Sequence, residues 1–200
     1  MKIFKKQYNM AISIGGDCGG ATYLRNIKKR DKSYPFDWLV TRSTKAVAAT
    51  LMNDFEDFAI IKKEVPDGGT HLRSVNKDGF VFLNRGKLSN DKLKEEFDKK
   101  INSFKQAISD GNILLIRREY GAHMNKCESA SGNSFKLLKE AILYLRKKNN
   151  NKNISCVALL VCEKCVNQYK NIDDEVLTII TDAGPRDKAL LNIISKISFI

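Results

Sequence analysis

Two stretches of this chain, "NILLIRRE" from Asn112 and "ISCVALLVC" from Ile154, are apolar with almost no alternation. A strand with one face in water alternates apolar and polar residues, so a near-continuous apolar strand is one covered on both faces. Covering both faces takes helices on each side, and the rest of the sequence supplies them. Met10 to Ile14 reads as a short apolar strand, and Ala21 to Lys29 as a helix with Tyr23, Leu24 and Ile27 on one face. Ser43 or Thr44 caps a helix through "STKAVAATLMNDFEDF". "FAIIKKEV" reads as a strand stopped at Pro66-Asp67-Gly68-Gly69, and "GFVFLN" as another. Asn90 or Asp91 caps a long helix whose Leu93, Phe97, Ile101, Phe104 and Ile108 recur on one face and which ends at Asp110-Gly111. A helix from Ser134, a strand in "EVLTIITD" and a last helix from Pro185 complete the pattern.

Strands alternating with helices predict one α/β domain over residues 1–200, a mostly parallel sheet with helices on both faces. In such sheets the binding crevice lies beyond the strand C-termini. That rule places Gly15 to Cys18, Arg117 to His123, and Cys162 to Cys165 at one edge.

Composition narrows the classes. No apolar run approaches the roughly 20 residues that cross a bilayer, and the basic start "MKIFKK" leads into no signal-peptide pattern. The expectation is a cytoplasmic protein with no membrane partner. Five cysteines, an odd number at uneven spacing, point to reduced thiols. The net charge of +12 is spread over helix faces and ends without interleaved aromatics. A solvated basic surface is favoured over a nucleic-acid site, which stays open behind it.

The candidate chemistry centres on "SIGGDCGG". A thiol at a strand-to-helix turn sits near backbone N–H groups that stabilise a thiolate and can hold an oxyanion. Cys18 is therefore a nucleophile, a metal ligand or simply a small residue in a tight bend. Gly15, Gly16, Asp17 and Gly19 are the candidate substrate or anion contacts of that turn, joined by Arg117 and Arg118 at the end of a central strand. The turn lacks the Gly-Lys-Ser/Thr ending of a phosphate loop. A cysteine nucleophile needs a base, and His123 and His71 are the only histidines. His123 follows a central strand and is the first candidate, with His71 second. Asp37 stands between Phe36 and Trp38, the sole tryptophan, where it can orient a base or anchor the Cys18 loop. Cys162-x-x-Cys165 has no second ligand pair beside it, so neither a metal nor a cofactor is expected.

The order "SIGGDC", "PFDWL", "NDFEDF", "KKINSF", "ILLIR" resembles a domain-of-unknown-function family described as "putative papain-like cysteine peptidase", over roughly Ile12 to Arg117. Ser13, Gly15 and Cys18 match its S-(L/I)-G-x-x-C pattern, Phe36 to Trp38 its Phe-Asp-Trp segment, and Asn53, Phe55 and Phe58 its N-x-F-x-x-F pattern. The resemblance implies Cys18 as nucleophile, a histidine base and an Asp or Asn orienter. It implies an α+β papain-like architecture as the alternative to the doubly wound sheet. Where the family pattern has His-Asp-Phe, this chain reads "FVFLNRGKL". Two functions follow. One is a thiol hydrolase, peptidase or acyl transferase acting on an unidentified small-molecule or protein substrate. The other is a catalytically inactive member that binds an anionic ligand or partner, with Arg25 and Arg30 in or after the first helix and Arg117 and Arg118 at the end of a central strand as its natural anion contacts.

Overall fold

The computed structural model describes residues 5–16, 18–30, 32–66, 72–82, 89–120, 133–161, 176–181, 192 and 194–200. In chain order the elements begin with β1 (Gln7–Tyr8), β2 (Met10–Ser13), α1 (Cys18–Asn26), β3 (Leu39–Val40) and α2 (Thr44–Met52). Three strands follow, β4 (Ile61–Pro66), β5 (Leu72–Asn76) and β6 (Val81–Phe82). The second half runs α3 (Asn90–Asp110), β7 (Ile113–Tyr120), α4 (Asn133–Lys148), β8 (Ile154–Val161), β9 (Val176–Thr181) and β10 (Ser198–Phe199).

The apolar strands form a parallel sheet in the order β2-β7-β8-β9. The described apolar side chains of β2, β7 and β8 divide between two cores in strict alternation. Ile12, Ile113, Leu115, Ile154 and Cys156 face a large core shared with α2, α3 and α4. Ala11, Leu114, Ile116 and Val157 face a smaller one shared with Tyr8, Leu24 of α1, Ile194 and Ile197. Helices therefore cover both faces of this sheet, which is why β7 and β8 show no alternation in sequence.

The expectation of a mostly parallel sheet holds for this half alone. A second four-stranded sheet, β3-β6-β5-β4, is antiparallel throughout. Its strands are short, and β4 is an edge strand whose Lys62, Lys63 and Glu64 are exposed. Charges on an edge strand discourage pairing with another chain, and they also blur the period-two signal. Strand β5 and the two-residue β1–β10 pair went unread in the sequence.

Below the antiparallel sheet, Phe36, Phe55, Phe58, Phe80, Phe82, Phe97 and Phe104 interlock with centroid separations from 5.1 to 6.2 Å, mostly edge to face. Such pairs add roughly 0.5–1.5 kcal/mol each beyond burial. The need to aim Phe55 and Phe58 inward ends α2 early. The helix stops at Met52, and Asp54, Phe55 and Asp57 take φ of +60°, +67° and +57°. The sequence reading carried this helix through Phe58; it breaks because three left-handed residues turn the chain back. Asp54 then pairs with Lys105 of α3 and Lys148 of α4, at 2.7 and 2.8 Å. The amide of buried Asn76 donates to the Phe58 carbonyl and its oxygen accepts from the Phe80 N–H, closing the β5–β6 hairpin on the turn.

Ser43 caps α2 through the Ala46 N–H. Ser89, one residue before the expected Asn90, caps α3 through the Lys92 N–H. Among the described residues no helix is long and apolar enough to cross a membrane.

Candidate active site at the first strand-to-helix turn

At the C-terminal edge of the parallel sheet, β2 runs out at Ser13 and the chain bends through Gly15 and Gly16 before α1 opens on Cys18. The two glycines have φ of +89° and +122°, a region side chains rarely enter. Space forbids them as well. A Cβ on Gly16 would lie 1.6 Å from the Arg118 carbonyl oxygen, and one on Gly15 would lie 2.1 Å from Thr41 Oγ1.

Backbone hydrogen bonds fix the bend to both neighbours. The Arg118 N–H donates to the Gly15 carbonyl at 3.1 Å, extending the β2–β7 pairing past the last strand residue. The Thr41 N–H donates to the Gly16 carbonyl at 3.0 Å, and the Gly16 N–H donates to Thr41 Oγ1 at 2.7 Å. Thr41 lies between β3 and α2, so one threonine joins the cysteine turn to the second half of the site.

Arg117 locks this junction from below. It is fully buried, and its guanidinium donates to Thr41 Oγ1 and the Thr41 carbonyl at 2.7 Å each. It also donates to Thr44 Oγ1 at 3.1 Å and to the Ile14 carbonyl at 3.4 Å. A planar fork with five N–H donors can tie three segments at once, which a lysine ammonium cannot. Beside it, burial pushes the Cys156 thiol up to about 12, against the pull of the Arg117 charge. Cys156 is an inert core residue. Arg118 is likewise buried.

Asp37 is held on the other flank of α1. Its carboxylate accepts the Tyr34 N–H at 2.7 Å and pairs with Arg30 at 2.6 Å, and both side chains are nearly dry, at 1% and 6% exposure. Burial pushes the carboxyl up to about 6, while the Tyr34 N–H and the Arg30 charge hold it back. Arg30 in turn donates to the Ala21 carbonyl in α1, so Asp37 reaches the cysteine helix through an arginine. Next to Asp37, Trp38 has φ +63° and is half-buried, and the Arg25 guanidinium of α1 lies over its ring at 5.3 Å.

The geometry thus brings Gly15, Gly16, Arg117 and Arg118 to one edge with Cys18 at the start of the adjoining helix, half-buried. Gly19 follows in the first turn of α1, and Gly20 packs against Ser13, where a Cβ would lie 2.9 Å from the hydroxyl. Asp17, His71, His123, Cys127, Cys162 and Cys165 lie outside the described residues. Among the described residues no three His, Cys, Asp or Glu side chains gather to hold a metal ion. Sequence reasoning missed Thr41, and it reads Thr44 as a possible helix cap rather than as an acceptor for Arg117. The only signal was indirect, an arginine pair inside an apolar strand that demands buried acceptors from somewhere.

A family model described as "Putative papain-like cysteine peptidase (DUF1796)" matches residues 9–165. The chain belongs to this family. The match takes in the glycine turn, the Phe-Asp-Trp segment, the aromatic turn and both long parallel strands, and runs well beyond the motifs that first suggested it. No curated protein and no solved structure matches the chain. The residues that carry the resemblance divide into two groups in the structure: Phe36, Phe55 and Phe58 fill the aromatic core, while Gly15, Asp37 and Arg117 are tied into the segments that flank α1.

Proposed function

We propose that Cys18 is the nucleophile of a thiol hydrolase that cleaves an acyl bond, most simply a peptide bond. The observation that carries this reading is the position of Cys18. It is half-exposed at the first residue of a helix, behind a turn that two glycines, Thr41 and buried Arg117 hold rigid. The first N–H groups of a helix have no partner within it and carry its positive end, which favours a thiolate and a developing oxyanion.

In this scheme a base takes the Cys18 proton as sulfur bonds to the carbonyl carbon. N–H groups of the first turn of α1 hold the oxyanion. The C–N bond then breaks, the amine leaves with the proton from the base, and water releases the acid from the thioester. His123 is our candidate for the base, ahead of His71. Asp37 acts through Arg30, which it fixes against α1, and so positions the helix that presents the thiol.

Iodoacetamide labelling of each cysteine, followed by mass spectrometry, tests the reading, with Cys18→Ser as control. Cys18 is expected to label faster than the thiols of the denatured chain, with buried Cys156 silent until unfolding. Labelling of Cys18 no faster than in the denatured chain removes the nucleophile and leaves a scaffold that binds. His123→Ala is expected to slow Cys18 labelling, and His71→Ala to slow it less.

A further inference from the structure

We propose that Arg25, stacked on Trp38, is the specificity residue of the Cys18 site and selects peptides with an acidic side chain, or a terminal carboxylate, about three residues from the bond attacked. The inference rests on Cys18 as nucleophile and adds the class of substrate.

Cys18 and Arg25 both belong to α1 and are seven positions apart. Seven residues at 3.6 per turn bring the second side chain back to within about 20° of the first, roughly 10 Å farther along the axis. Thr22, half-buried, lies between them on the same face. An extended peptide advances about 3.3 Å per residue, so that strip spans about three substrate residues.

Five arginines lie on or next to the segments that build the site, and they are not equivalent. Arg42, which follows Thr41, is exposed but lies off α1. Arg117 is buried against Thr41, Thr44 and Ile14, and Arg118 is buried as well. Arg30 is nearly buried and paired with Asp37. Arg25 is exposed, and among the described residues no carboxylate pairs with it. Its guanidinium reaches solvent, and its side chain is restrained by the indole beneath it. Stacking reduces the rotamer freedom that a surface arginine would otherwise lose on binding, and a guanidinium presents a planar fork suited to a carboxylate. Trp38 is itself fixed. The Asp37 carboxylate closes its turn on the Tyr34 N–H, and Arg30 clamps that carboxylate. The ion pair that anchors α1 therefore also sets the platform for Arg25. A net charge of +12 draws anionic peptides to the surface in general, and the strip supplies the local preference.

The test uses two chloroacetyl peptides that differ only in Asp or Asn at the third residue from the electrophile. The Asp probe is expected to label Cys18 about ten-fold faster than the Asn probe at sub-saturating concentration, the worth of one charge-assisted contact. Arg25→Gln should bring the ratio to about one, and Arg25→Lys should leave an intermediate ratio. Lys92→Gln, an exposed cation on α3, should keep the wild-type ratio and so separate local recognition from overall charge. Equal rates for the two probes on a Cys18 that reacts with iodoacetamide would overturn the inference and spare the nucleophile. A preference that survives Arg25→Gln would overturn it as well. A Cys18 inert to iodoacetamide would remove both.

Discussion

The cysteine turn and the phenylalanine cluster lie on neighbouring parts of one scaffold, yet they are held by different kinds of force. The turn is fixed by directed contacts, namely Thr41 with Gly16, Arg117 with Thr41 and Thr44, and Arg118 with Gly15. Each depends on one donor meeting one acceptor. The cluster is fixed by seven rings in mutual contact, where dispersion and burial are shared over many atoms. A network of single bonds is exact and brittle, whereas a packed set of rings can adjust. A site that must aim a sulfur at a carbonyl carbon has use for the first kind, and a core has use for the second.

The harshest way to break this contrast is Gly16→Ala. One methyl group would meet the Arg118 carbonyl at 1.6 Å in a backbone conformation that alanine avoids. We expect a loss on the order of 4–5 kcal/mol or more, seen as a shifted or absent urea transition. Phe58→Ala removes far more atoms and should cost about 3–5 kcal/mol, while Phe58→Leu should be much milder because the neighbouring rings relax. Should Gly16→Ala prove as mild as Phe58→Leu, the distinction between brittle and adaptable regions would not stand. Arg117→Lys sharpens it further. An ammonium cannot reach both threonine hydroxyls and two carbonyls, and buried acceptors left unpaired cost about 1–3 kcal/mol each. A loss of several kcal/mol is therefore expected from a change that keeps the charge.

Next in size is a pH effect at Asp37. Its folded carboxyl sits at about 6 against an ordinary 3.8, so between those values the folded protein binds a proton that the unfolded chain does not. The contribution is present in full below about pH 4 and lost as pH rises through about 6. Roughly two units correspond to about 3 kcal/mol. Asp37→Asn should flatten that slope in denaturation curves taken across pH 4 to 7, and Arg30→Gln should move its midpoint upward. The smallest effect is at Ser43, where alanine removes one cap of α2 and should cost about 1 kcal/mol.

The same contrast explains which parts could be read in the sequence. Periodicity shows what a residue buries, so α3 was legible from Leu93 to Ile108, and the doubly covered strands from their unbroken apolar runs. It does not show which atoms meet. Thr41 looks like any loop threonine, and nothing marks Arg30 as the partner of Asp37 across six residues. The antiparallel sheet escaped because its strands are brief and its edge is charged. The turn at Asp54 to Asp57 escaped because Phe55 and Phe58 sit three apart, as they would on a helix, while the backbone between them is left-handed. His71 and His123 were named from chemistry alone and lie outside the described residues.

The indole of Trp38 is the only one in the chain, and the Arg25 guanidinium rests over it. The protein therefore carries a built-in optical reporter at the end of the strip that begins at Cys18. An occupant that draws Arg25 toward its own carboxylate, or that dries the indole, changes the surroundings of a single chromophore. The emission of unmodified protein, excited where tyrosine no longer absorbs, reports occupancy there without a label or a turnover assay.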